Sequence, residues 1–371
     1  MAYVAVKGGT LAIEESIKRL KFERLKGGEI LAVKDVAAGM RGLIDQVMSE
    51  SSLYCEELAA IAIKQAEGNA EEAVFLLRAY RSTLPRKHET QVVTTDQMTV
   101  ERRISASFKD IPGGQILGAS HDYTQRLIDF DLVSETKQES LEWLKKYEKE
   151  VASTNHAEDL SRLPKVVDYL RSQNLMAEFE DNDETPKDVT KTTLEFPTTR
   201  SERLQILTRG QTGAVISLGY AGLRAYGAQH PTVGELRVGN IPLYVNHPLF
   251  DSEASEDDFY IGEIKITEVE SFITSVKENQ DGTDDIEFGI GYGVCYGQNE
   301  TKAIAMSILD KALEVKDLSS PVGHEEFVLF SIDTVESTGF ISHLKLPHYV
   351  TFQSKLDSVR KTRKGGESDE N

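Results

Sequence analysis

The stretch Ile286-Glu287-Phe288-Gly289-Ile290, the glycine-rich Gly291-Tyr292-Gly293-Val294-Cys295-Tyr296-Gly297, and Gln298-Asn299-Glu300-Thr301-Lys302-Ala303 beyond it decide the fold class. Residues 286–290 read as a strand, and Asn299 can cap a helix reaching about residue 314. A strand is therefore followed directly by a helix late in the chain. Alternation of apolar and polar residues predicts further strands over 235–246 and 259–277. Upstream the period is helical. Leu11, Ile13, Ile17, Leu20 and Leu25 mark a first helix capped by Thr10. Others are expected over 33–50, 52–67 and from Ala73 to Tyr80, then over 199–209 and 212–226. The helical stripes read as core packing. Tyr3 to Val6 and Glu326 to Ile332 read as short strands, Gly339 as a turn, and 350–363 as a terminal helix. Helices first and strands later predict an α+β fold: a helical N-terminal layer, then a mixed sheet-and-helix region, not a doubly wound sheet. The expected divisions are 1–130, an acidic connection 131–190, a mixed domain 191–363, and a tail 364–371 without order.

The chain has 371 residues and a formal charge of −19. The charge is unevenly spread: residues 1–130 sum to −1, and 131–371 carry the other −18. Acidity on this scale argues against a duplex nucleic-acid binder, which needs a basic face. No run of 18 apolar residues is present, so no membrane partner is expected. Two cysteines, Cys55 and Cys295, are too few for a disulfide framework and fit a cytoplasmic protein.

The neutral part holds the densest cluster of polar chemistry. Glu101-Arg102-Arg103, Phe108-Lys109-Asp110-Ile111-Pro112-Gly113-Gly114 and His121-Asp122-Tyr123-Thr124-Gln125-Arg126 bring four fixed cations around a Pro-Gly-Gly turn. Glycines at positive φ let backbone N–H groups converge on an anion, and arginine forks match phosphate oxygens. No Walker loop or dinucleotide fingerprint is present. The competing reading is a surface turn whose arginines pair with nearby carboxylates. His343 and His348 form a second constellation. Zinc commonly takes imidazole ligands, and Pro347 prevents a continuous helix, so a bent segment could bring both to one ion. Two ligands do not complete a sphere, and two unrelated histidines remain the alternative. The glycine-rich strand end at 289–297 reads either as a phosphate cradle or as close packing.

The segments YVAVKGG, EEAVFLLRAYRSTL, ERRISASFKDIPGGQILG with HDYTQRLIDFDL, and GFISHLKLPHYVTFQ together resemble the PhnI family. Its members are subunits of the bacterial carbon–phosphorus lyase core complex. The resemblance runs from residue 1 to about 355 and is poor over 131–190 and 249–285. It implies phosphonate catabolism in the cytoplasm. It further implies displacement of adenine from ATP by an alkylphosphonate such as methylphosphonate, giving α-D-ribose 1-methylphosphonate 5-triphosphate. Purine nucleosidase activity is implied for the chain alone. Implied partners are the other core subunits and an ABC-type protein. The iron–sulfur cluster and S-adenosylmethionine are implied only for a partner subunit. The family's two-histidine metal site carries over to His343 and His348, with zinc the expected ion; magnesium would accompany ATP. A β-nucleotide giving an α-product implies inversion at the anomeric carbon. On residue types, Arg102, Arg103, Lys109 and Arg126 are expected anion clamps, with Gly113, Gly114 and Tyr123 beside the substrate. His121 and Asp122 are the acid/base candidates. The alternative is a scaffold that mainly lends a metal half-site to the radical lyase subunit.

Overall fold

The computed structural model describes residues 9–111, 113–154, 163–176, 184–226, 231–246, 258–278, 284–345 and 349–366. Its helices begin with α1 (Gly9–Leu25), α2 (Val33–Gly39), α3 (Arg41–Ser51), α4 (Glu56–Gln65) and α5 (Ala70–Arg81). Strand β1 (Thr99–Ser105) precedes α6 (Lys137–Thr154), α7 (Val166–Ser172), α8 (Arg200–Arg209) and α9 (Thr212–Ala221). Strands β2 (Thr232–Val245), β3 (Phe259–Glu278) and β4 (Asp284–Tyr296) follow. The chain then forms α10 (Glu300–Val315), α11 (Glu325–Ser331), α12 (Thr334–Ser342) and α13 (Tyr349–Gly366). The fold is α+β, as the sequence predicts. No described helix is long and apolar enough to cross a membrane.

Two compact units divide the chain, and both are discontinuous: 1–85 with 186–222 and 312–371, and 86–185 with 223–311. The sequence reading placed boundaries at 130 and 190. The structure draws them elsewhere because β1 pairs with β2, more than a hundred residues later.

The first unit centres on Val36, Ile44, Val47, Met48, Ala60, Ile63, Ala73 and Leu77. Small alanines let α2 to α5 approach closely. Arg78 ties this layer to later chain segments. Its guanidinium donates to both Asp333 oxygens (2.8 and 2.9 Å) and to the Glu50 and Arg209 carbonyls (each 3.0 Å). Buried Glu50 accepts from the Thr212 N–H and hydroxyl, both at 2.8 Å, at the start of α9. Helix α1 departs from the predicted pattern, since none of its residues is buried.

The second unit is built on an antiparallel sheet in the order β1-β2-β3-β4. Helix α10 packs on one face. Gly291 and Gly293 make that possible: an added Cβ would lie 2.1 Å from the Ser307 carbonyl oxygen and 2.0 Å from that of Ala303. The glycine-rich strand is thus a packing surface. Asn299 caps α10 by accepting from Lys302 N–H (3.3 Å), and Glu300 fills the first turn.

Other predicted elements differ. Residues 326–332, read as strand, lie mostly in α11; Glu325 and Glu326 suit a helix N-terminus, and Val328 and Leu329 bury one side. Short apolar runs do not distinguish the two states. Gly339 lies inside α12, not at a turn. The 33–50 helix breaks at Met40. Residues 364–366 continue α13. The strand read at Tyr3 to Val6 lies outside the described residues.

Glycine in a strand interior normally costs stability, so alanine should help unless space forbids it. Gly293→Ala is expected to destabilise by about 1–3 kcal/mol through overpacking. Urea unfolding measures it; a gain in stability would contradict the helix contact.

Candidate functional site

Adjacent arginines on β1 point to opposite sheet faces. A register shift lies between Val100 and Arg102, after which Arg102 pairs with Val238 and Arg103 with Arg237. Arg102 is 4% exposed and forks onto Glu300, Nε to Oε1 at 2.7 Å and Nη2 to Oε2 at 3.1 Å. It also donates to the Leu117 carbonyl and to the Tyr123 hydroxyl (3.3 Å) and lies over the Tyr123 ring. Burial opposes its charge, but the bonds and charge of Glu300 outweigh this and raise its pKa. Arg103 is fully buried, 2.6 Å from Glu235, and donates to the Pro164 carbonyl at 2.6 Å. Both arginines, expected as anion clamps, are engaged within the fold by Glu300 and Glu235.

The remaining candidates stay at the surface. Lys109 approaches the Phe108 ring. Gly113 and Gly114 have φ of +83° and +44°, as the turn requires. Gly113 also passes close to the Leu163 side chain, which an added Cβ would meet at 2.5 Å. His121, Asp122 and Tyr123 form a 3-10 turn in which Ser120 accepts from Asp122 N–H at 3.2 Å. Arg126, at φ +59°, donates to Asp122 at 3.2 Å, and Arg102 lies 3.6 Å from the same carboxylate. Asp122 and Arg126 thus meet at an exposed edge.

Arg103 opens onto a buried charged layer that the sequence reading missed. One row across the sheet is Arg103, Arg237, Glu268 and Val294; the next is Ser105, Glu235, Glu270 and Tyr292. Lys165, just before α7, approaches the layer. Its ammonium is 3.2 Å from Glu268 and in closer contact with Glu270. Glu268 also accepts from Thr95 hydroxyl (2.6 Å), Tyr292 hydroxyl (2.9 Å) and Arg237 Nε (3.1 Å). Burial disfavours its charge, but Arg237 and Lys165 win and hold its pKa near 2. Glu270 goes the other way: burial pushes it up to about 7, only partly opposed by Lys165. Burial and the Glu268 carboxylate keep the Tyr292 phenol protonated. The legible signal was charge at alternate strand positions, 235 with 237 and 268 with 270.

In the first unit, Arg209 lines a cavity of about 190 Å³ with Leu194, Ile206, Phe330, Asp333 and Glu336. Burial, with Arg78 and Arg81 nearby, lowers its pKa to about 10. His343 follows α12, and its Nδ1 contacts the Phe340 carbonyl. An Nδ1–H donated to a carbonyl is the tautomer that presents Nε2 to a metal, so His343 suits such a role. His348 lies outside the described residues. Among the described residues, no group of three or more His, Cys, Asp or Glu converges as a metal cage.

Glu270 gives a signed pH test. Its folded pKa stands above the ordinary carboxylate value, so its contribution is fully present below about pH 4.5 and declines as pH rises through about 7. Gln imitates the protonated acid. Glu270→Gln should match the parent near pH 5 and exceed it at pH 8 by on the order of 1–3 kcal/mol. Paired urea titrations from pH 5 to 8 measure this. Greater loss in the variant at pH 8 would mean the ionised form is the stabilising one.

The family model described as bacterial phosphonate metabolism protein (PhnI) matches residues 2–366. HtxH of Stutzerimonas stutzeri is 41% identical over 369 residues, covering 98% of this chain and 96% of its own. The α-D-ribose 1-methylphosphonate 5-triphosphate synthase subunit PhnI of Rhizobium meliloti (strain 1021) is 39% identical over 377 residues, with 98% and 95% covered. Its counterpart from Escherichia coli (strain K12) is 38% identical over 369 residues, with 97% and 98% covered. A match over nearly the whole length identifies this chain as a member of the PhnI family of bacterial phosphonate metabolism proteins.

Proposed function

We propose that the chain is a subunit of a cytoplasmic α-D-ribose 1-methylphosphonate 5-triphosphate synthase and carries its glycosyl-transfer step. The supporting observation is near-full-length similarity to two proteins named as that subunit. The step replaces adenine on ribose C1 of ATP by a phosphonate oxygen. The C1–N bond breaks, the C1–O bond forms on the opposite face, and the departing purine takes a proton. Charge accumulates on the sugar as an oxocarbenium ion, which a carboxylate stabilises.

The exposed edge of 109–126 supplies groups for these tasks. Lys109 and Arg126 would offset repulsion between triphosphate and phosphonate, with Gly113 and Gly114 offering N–H groups. Tyr123 would flank the substrate. His121 would protonate the purine, and Asp122, oriented by its 3.2 Å bond from Arg126, would face the developing cation. Magnesium would accompany the triphosphate. Zinc would be held by His343 and His348, with a partner subunit or substrate completing its sphere. The other core subunits and an ABC-type protein would be the partners.

The isolated chain is expected to release adenine from ATP. His121→Ala and Asp122→Asn should each lower that rate about 100-fold. Arg126→Ala should chiefly raise KM for ATP. Full activity in both the His121 and Asp122 variants would remove the assignment. Absence of adenine release until companion subunits are added would favour a site shared between chains.

A further inference from the structure

The turn that carries His121, Asp122 and Tyr123 is held in place by polar contacts. No side chain from Leu117 to Arg126 is buried. The chain follows β1 as far as Gly118. Arg103 and Ile116 exchange backbone hydrogen bonds of 2.7 and 2.9 Å. Gly118, at φ +55°, then passes so near that an added Cβ would lie 2.7 Å from the Glu101 carbonyl oxygen. Beyond Gly118, among the described residues, two side chains tie the turn to the sheet unit through hydrogen bonds and ion pairs. Gln298 donates to the Ala119 carbonyl at 2.9 Å. Arg102 donates to the Tyr123 hydroxyl at 3.3 Å, lies 5.6 Å from the centre of its ring, and comes within 3.6 Å of Asp122.

Both tethers converge on Glu300, in the first turn of α10. Its Oε1 accepts from Arg102 Nε at 2.7 Å and from Gln298 Nε2 at 3.0 Å, and its Oε2 accepts from Arg102 Nη2 at 3.1 Å. The fork decides which way Arg102 faces. Arg102 Nη2 stands between two carboxylates, 3.1 Å from Glu300 and 3.6 Å from Asp122. Glu300 takes it bidentately, so Asp122 draws its hydrogen bond from Arg126 and keeps negative charge that Arg102 does not match. Without the Glu300 charge, the 4% exposed guanidinium would need another anion, and Asp122 is the one beside it. A carboxylate clamped between two arginines is a poor partner for a developing sugar cation.

We propose that Glu300 is a positioning residue of the glycosyl-transfer site. It holds Arg102 and Gln298, and through them it aims the turn and keeps the Asp122 carboxylate available to the sugar. Glu300 touches no substrate itself, and Gln298 is the second member of the same device. The inference rests on the reading of Asp122 as the group facing the developing cation, and it adds the residues that hold Asp122 there.

A double-mutant cycle on adenine release from ATP tests it, run on the full chain, with companion subunits present if release requires them. Glu300→Gln keeps the shape and one acceptor oxygen but removes the charge. It should lower kcat about tenfold and leave KM for ATP within about twofold, because the interaction lost belongs to the transition state. In an Asp122→Asn background the same change should cost less than about twofold, since no carboxylate remains to be positioned. Gln298→Ala leaves the Arg102–Glu300 pair intact and should lower kcat about threefold, again only while Asp122 is present. Circular dichroism and thermal unfolding check that each variant folds, and if Glu300→Gln does not, the Gln298→Ala cycle decides alone. Equal losses in both backgrounds would make the contacts merely structural and overturn the proposal. Undiminished kcat in Glu300→Gln and Gln298→Ala, with Asp122→Asn impaired, overturns it while leaving the Asp122 reading intact. Full activity in Asp122→Asn removes that reading and the proposal with it.

Discussion

Three cations and three carboxylates share one buried layer of the sheet, and the second unit depends on how they are matched. Strand pairing sets Arg103 opposite Arg237 and Glu235 opposite Glu270, which are like-charge pairs. The contacts resolve this by joining Arg103 to Glu235 within one strand pair and Arg237 to Glu268 in the next. Removing Arg237 or Glu268 would leave an uncompensated charge in a dry environment, a loss of about 3–5 kcal/mol for such a pair. Apolar clusters flank the layer, Met98, Val100, Ile241 and Ile266 in one and Val166, Leu170, Phe272 and Ile290 in the other. Register in this sheet is thus specified twice, by apolar alternation and by charge matching.

Lys165 extends that constraint beyond the strands. Its ammonium reaches Glu268 and Glu270, and the next N–H, from Val166, donates to Glu235 at 2.9 Å. The start of α7 is therefore fixed by carboxylates of β2 and β3. Burial opposes the ammonium, but Glu268 and Glu270 hold its pKa above the ordinary value. The charged layer thus anchors the start of a helix whose Val166, Val167 and Leu170 are buried in the neighbouring apolar cluster.

Much of the fold was legible because local signals agree with global packing. The capped helix after Asn299 and the strands over 235–246 and 259–277 follow from side-chain period and punctuation. Residues 326–332 were misread because seven mixed residues fit either period; tertiary burial of Val328 and Leu329 decides for helix. The candidate site was legible as composition and not as geometry. Arg102 and Arg103 look alike in sequence, yet a one-residue bulge and strand alternation send them to opposite faces. Their partners, Glu300 and Glu235, are more than a hundred residues away. No local pattern announces such pairings. The family was readable from long matching strings because it does not depend on knowing which arginine faces which carboxylate.

The Arg78–Asp333 pair has a consequence for how the chain is made. The two residues are separated by 255 positions, and the whole of the second unit's sheet is encoded between them. The helices around Arg78 leave the ribosome early, but their guanidinium has no carboxylate at that position until translation is nearly complete. The first unit must wait, with its alanine-rich core assembled and this junction still wet. Closure of the N-terminal helices against α12 is then a post-translational event, timed by the length of the insertion.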